Sequence, residues 1–260
     1  MQTNLPDTTP LRSPSWWVEL SSLLFIELSN WRWSWRSMLV TGTFAPVLGI
    51  LGLGVFARDS GPLALSYVLT GNLVISLMFG NMGNIQSHMV FLRFRGTLDY
   101  FATLPVRRPV LIVAMAISFL LISAPSLLAT LVIGVFVLKV PVIIHPLIVL
   151  VIPLCALPLS GIGALIGAMA RAPEEAGAIN LIVTLLLTGL GPVVVPPDRL
   201  PGWLIQLGYL SPATYAASAL RQVLLGPITP RIGLDMVVLA ALGLLTFWLV
   251  TRKLDWRGIA

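Results

Sequence analysis

Adjacent carboxylates occur once in the chain, at Glu174-Glu175; imidazoles occur at His88 and His145, and the one thiol is Cys155. Paired acids do acid–base or metal chemistry when their carboxylates converge on one point. Neighbours on a helix point about 100° apart, and no histidine lies near this pair in the sequence. Behind Pro173, Glu174 and Glu175 instead suit the first turn of a helix, where proline fits and negative charge is stabilised. A lone cysteine excludes an internal disulfide and a multi-cysteine metal site, so Cys155 reads as a small apolar filler. His88 has no metal-ligating neighbour in sequence and reads as a hydrogen-bonding group near a membrane surface. Gly161-Ile-Gly163-Ala-Leu-Ile-Gly167 superficially evokes a nucleotide loop, but its apolar setting suits close helix packing. The lysines are Lys139 and Lys253, neither preceded by glycine, so the phosphate cradle G-x-x-x-x-G-K-[ST] is missing from the sequence.

The elements that must carry these residues are set by composition. Of 260 residues, 57% are hydrophobic and 10% charged, with a mean hydropathy of +0.95. A soluble domain carries about 25% charged residues, so this chain cannot clothe a globular surface and its solvent is a bilayer. Charge-free runs lie at 37–57, 60–92, 109–138, 140–170, 176–197, 200–220 and 236–251. A helix crossing ~30 Å of hydrocarbon needs about 20 apolar residues. Six runs are read as spans, over 38–57, 63–90, 109–138, 147–169, 176–195 and 232–251. The run at 200–220 contains Pro201 and Pro212 with several polar residues, and is expected to form short helical pieces at the interface or dipping in from one side.

The expected fold is therefore all-α, a polytopic membrane protein forming one transmembrane domain over residues 1–260. The first fourteen residues hold Pro6, Pro10 and Pro14 and no apolar core, so no cleavable signal peptide is expected. Six spans put both termini on one side. With the N-terminus inside, the outer segments keep only Arg58, Lys139, Arg199, Arg221 and Arg231 of the 16 basic residues, which orients the chain with both termini cytoplasmic. The net charge of +6 is thus a topology signal, and no nucleic-acid partner is expected.

Three connecting segments carry information. Over 15–37, Trp17, Leu20, Leu24, Leu28, Trp31 and Trp35 recur at helical spacing among basic residues, as in a helix lying in the headgroup region. Glu19 and Glu27 argue for that placement over a long extension of the first span. Over 91–108, Thr97 could cap a short helix ended by Pro105, either a docking element or a membrane-surface turn. Over 196–226, Pro201-Gly202-Trp203 opens one short helix, and Ser211-Pro212 opens another with a serine cap that ends at Gly226. Polar residues inside spans are Thr70, Asn72, Ser76, Asn81, Asn84 and Gln86 in the second, and Asn180, Thr184 and Thr188 in the fifth. Each could line a pathway or hydrogen-bond between helices.

The passage LSPATYAASALRQVLLG (210–226) resembles the segment before the last span in membrane subunits of type-2 ATP-binding-cassette (ABC) exporters. FRGTLDYFATLPVRR (94–108) is similar to that family's cytoplasmic loop, with Asp99 where Glu is usual. Together with the N-terminal helix and the six spans, the likeness covers nearly the whole chain and is nearest to the drug and lipooligosaccharide branches. It implies a permease subunit that forms a homodimer and works in the bacterial cytoplasmic (inner) membrane with two copies of a cytoplasmic ABC ATPase that binds ATP and Mg, with no cofactor on this chain. By the same likeness, 91–108 is a coupling loop and 15–37 a connecting helix, with Arg93, Arg95, Thr97, Leu98, Asp99 and Phe101 as ATPase contacts. Asn72, Phe79, Thr184 and Thr188 are then lining residues of the pathway. The expected cargo is an amphipathic small molecule, drug or lipid-linked compound, because the fifth span has no aromatic residue of the kind that stacks on sugars. A polysaccharide exporter and an ion-coupled carrier are the alternatives. A membrane-embedded transferase is disfavoured by scattered acids and by histidines placed on opposite sides.

Overall fold

The computed structural model of the protein describes residues 15–97 and 107–253, and among these all regular structure is helical. The helices are α1 (Trp16–Arg58), α2 (Pro62–Leu77), α3 (Gly83–Phe94), α4 (Arg108–Leu138), α5 (Ile148–Met169), α6 (Pro173–Gly189), α7 (Gly202–Gly208), α8 (Pro212–Leu225) and α9 (Arg231–Lys253). A π turn, Met78–Met82, joins α2 to α3 without a break, so that Pro62–Phe94 forms one rod. Gly61, at φ +88°, turns the chain out of α1, and Pro62 then starts α2 at a position where its missing N–H costs nothing.

Two expectations change. The interfacial helix expected over 15–37 and the span expected over 38–57 are one helix: α1 runs for 43 residues without interruption, about 65 Å at 1.5 Å per residue. Its second half, Met38–Ala57, has the length and hydropathy of a span. In its first half Leu20 and Leu23 pack with Ile85, Met89 and Leu92 of α3 and Leu111 and Met115 of α4. Glu19 and Glu27, read as arguing against a long extension of the first span, are buried in the protein beside these contacts, 3% and 7% exposed.

The second change concerns the span expected over 176–195. Five helical stretches among the described residues are long and apolar enough to cross a membrane: Met38–Ala57, Pro62–Phe94, Pro109–Leu138, Ile148–Met169 and Arg231–Lys253. Helix α6 is shorter, 17 residues or about 26 Å. It stops because Gly191 takes φ +115° and Pro192 follows, a pair that cannot continue a helix. The chain from Leu190 onward then lies against α2, where a Cβ on Gly71 would sit 2.8 Å from the Val193 carbonyl.

The two largest of the apolar cores among the described residues hold the bundle together. One joins α2, the π turn, α5, α8 and α9 around Leu77, Met78, Leu159, Leu220 and Leu239; the other joins α1, α3 and α4. The glycines of α5 set the closest approaches, as their spacing suggests. Gly163 lies against the Met82 backbone, Gly161 against Thr246 of α9, and Gly167 against the Gln86 carbonyl. The short helices expected in 196–226 form as α7 and α8. Ser211 does not cap α8; its hydroxyl donates instead to the Leu187 carbonyl at 2.9 Å, fastening α8 to the end of α6.

Candidate functional site

At the end of the bundle where α3, α5 and α6 meet, Arg93 is half-buried in the last turn of α3. Its Nη1 donates to the carbonyls of Ala168 and Ala170, at 2.8 and 2.7 Å. These are carbonyls at the C-terminus of α5, which lack helical partners and carry the negative end of the helix dipole. A guanidinium there satisfies two of them at once. The next connection is fastened too: the Arg171 N–H donates to Glu175 Oε2 at 2.7 Å, giving that carboxylate a structural partner at the start of α6. Val90, Ile166, Ala170 and Ala176 fill the space between the three helices.

Arg95, by contrast, is exposed and stacks on Phe91, its Cζ 3.9 Å from the ring centroid. Gly96 adopts φ +69°, which lets the chain leave α3, and Thr97 is half-buried. Leu98, Asp99 and Phe101 lie outside the described residues, as does most of the loop expected to dock a partner. Of the six contact residues, then, Arg93 faces inward and ties the root of the loop to α5.

The four pathway residues fall into separate settings. Asn72 is fully buried, donates through Nδ2 to the Val68 carbonyl at 2.8 Å, and lies against Gly49 of α1. Phe79 sits in the π turn, half-buried. Thr184 is buried on α6, and the Thr188 hydroxyl one turn on donates to its carbonyl at 2.7 Å. Among the described residues no hydrogen bond connects Asn72 with the α6 threonines. Of the other polar residues of the rod, Ser76 and Asn81 hydrogen-bond between helices, Ser76 Oγ donating to the Gly42 carbonyl at 2.9 Å and Ser160 Oγ to Asn81 Oδ1 at 3.2 Å, whereas Asn84 Nδ2 donates within the rod to the Gly80 carbonyl at 2.6 Å.

Two polar clusters escaped the sequence reading. His88 Nε2 lies 3.1 Å from Glu27 Oε1, with its ring 5.3 Å from that of Phe119. At the opposite end, where α2 and α9 begin, Arg221 lies over the Tyr67 ring at 3.4 Å from its centroid and donates to Thr70 Oγ1 at 3.2 Å. Asp235 is fully buried and accepts at Oδ2 from Ser218 at 2.6 Å and Gln222 at 3.1 Å. Glu27 and His88 are 61 positions apart, and Arg221 and Thr70 are 151 apart, so local pattern could not pair them. The available hint was an ionisable residue in an apolar run, which is costly unless partnered.

The family model described as ABC-2 type transporter matches residues 19–225, from the first half of α1 to the end of α8. No curated protein matches the chain.

Proposed function

Because the chain belongs to the ABC-2 type transporter family, whose members are membrane transport components, we propose that it is the permease subunit of an ATP-driven exporter. Two copies form a homodimer in the bacterial cytoplasmic membrane; the short helix α6, together with the segment after it, makes a sixth crossing beside the five longer helices, so both termini are cytoplasmic. Each copy engages a separate ATPase chain that binds ATP and Mg. ATP-driven closure of the two ATPases biases the permease dimer between inward- and outward-open states. The cargo is an amphipathic small molecule, drug or lipid-linked compound taken from the cytoplasm or the inner leaflet.

The observation that carries this reading is the family match itself, which spans the bundle from α1 through the α7–α8 passage. The setting of Arg93 supports it mechanically. A loop rooted at Gly96 and tied through Arg93 to the end of α5 passes a push on the loop directly to α5 and α6. Thr184 and Thr188 on α6 would then move with the docking loop. Asn72, on α2 against α1, would line the pathway only in a state that parts those two helices.

Native purification in mild detergent, followed by mass spectrometry and an ATPase assay, tests the proposal. A stoichiometric ATPase partner, lost on replacing Asp99 and Phe101, supports it; a lone chain without hydrolysis refutes it. The Glu27–His88 pair, buried on the Glu27 side and half-buried at His88, favours one second reading, an ion-coupled carrier, since ionisable pairs at membrane depth mark ion pathways. Transport driven by a proton gradient with no ATPase present would select that reading.

A further inference from the structure

The Arg221 cluster borders a cavity of about 230 Å³, open on one side and formed by α2, the 192–197 segment, α7, α8 and the start of α9. Its polar wall holds more donors than acceptors. Gln222 Oε1 is already taken by the Thr229 N–H at 3.0 Å and the Thr229 hydroxyl at 2.8 Å. Asp235 Oδ2 is taken by Ser218 and Gln222; its Oδ1 has no hydrogen-bond partner, but Asp235 lies behind the wall and does not line the cavity. On the donor side, Arg221 Nε has no hydrogen-bond partner, nor has the hydroxyl of Thr214, which is 4% exposed. Arg231 is half-exposed and reaches its nearest acid, Asp235, only at 3.8 Å. Two guanidiniums therefore face one carboxylate, leaving one positive charge without a counterpart.

We propose that this cavity binds an oxyanion, a phosphate or carboxylate group, between Arg221 and Arg231. Stacking on Tyr67 fixes the plane of the Arg221 guanidinium, and a fixed planar fork suits oxyanion geometry. The rest of the wall is apolar, with Pro192, Ile205 and Tyr209, so the group can arrive on a molecule that is itself partly apolar. An anionic lipid headgroup and a free small anion share this chemistry. That the cavity faces outward rests on the proposed topology; the binding itself does not.

The test uses the full chain in nanodiscs, with thermal unfolding read by a thiol-reactive dye at Cys155, which is buried in the folded state. One arm compares phosphatidylglycerol with phosphatidylcholine; the other titrates inorganic phosphate in phosphatidylcholine. The expected result is a raised unfolding temperature in at least one arm. Arg231→Gln raises the phosphate concentration or phosphatidylglycerol fraction needed for that effect about tenfold or more, the usual loss for a hydrogen bond to a charged group, and Arg221→Gln does the same. Arg199→Gln, an exposed position outside this wall, leaves it unchanged. A response to phosphatidylglycerol alone identifies a lipid headgroup, and a response to phosphate identifies a free anion. Should Arg221→Gln fail to fold, the exposed Arg231→Gln still decides. No response in either arm, or equal losses in Arg199→Gln and Arg231→Gln, overturns the proposal.

Discussion

Replacing Arg93 by alanine removes both hydrogen bonds from Nη1 to the Ala168 and Ala170 carbonyls. A hydrogen bond to a charged group contributes about 1.5–3 kcal/mol. The two share one nitrogen on a half-buried side chain, so their sum is set near the lower end, about 2–3 kcal/mol. That corresponds to roughly 30- to 150-fold in the local opening equilibrium. Hydrogen exchange of the Ala170 amide, bonded to the Ile166 carbonyl at 3.0 Å, reads this opening. Arg93→Ala is expected to speed its exchange by that factor. Arg93→Lys recovers part of the protection, because an ammonium lacks the planar fork. Arg95→Ala, which loses only an exposed stacking contact of about 0.5–1 kcal/mol, leaves Ala170 unchanged. Equal exchange at Ala170 in Arg93→Ala and Arg95→Ala would refute the role assigned to Arg93.

Other perturbations have defined outcomes. Gly167→Ala places a Cβ 2.7 Å from the Gln86 carbonyl and is expected to cost about 1–3 kcal/mol. Gly177→Ala, with open space around it, is expected to stabilise by up to about 1 kcal/mol; thermal unfolding in detergent separates the two. Asp235→Ala strands the Ser218 hydroxyl and the Gln222 amide, and an unfolding midpoint lowered by about 2–4 kcal/mol equivalent is expected. Glu27→Ala, which leaves His88 unpaired beside Phe119, is expected to lose about 1–3 kcal/mol in the same assay.

The parts of the fold legible in the sequence were those set by local composition. A charge-free run of about 20 residues forms a helix wherever nothing interrupts it, as over Pro109–Leu138. The glycine spacing of 161–167 gave close packing because a missing Cβ acts whatever the partner is. The failures share a different cause. At residue 37 a change of polarity marks a boundary between an interfacial helix and a span, yet helical hydrogen bonds do not depend on which solvent surrounds them, and the backbone runs on as one helix. At Gly191-Pro192 an apolar run continued past a point where the backbone could not. The inward setting of Arg93 and the Arg221–Tyr67–Thr70 contact depend on partners 75 or more positions away, and no local pattern encodes them. For the candidate site, residue types pointed to 91–108 as the loop expected to dock a partner, but only the packing of α3 on α5 showed that Arg93 belongs to the bundle.

The most direct test of the central claim is reconstitution of the purified chain in liposomes with and without its co-purifying ATPase, measuring ATP hydrolysis and movement of a fluorescent amphipathic compound together. An ATP-driven permease requires both activities to appear only when both chains are present, and movement to stop when ATP is withheld. Movement of the compound by this chain alone, at the same rate with or without ATP, would contradict it.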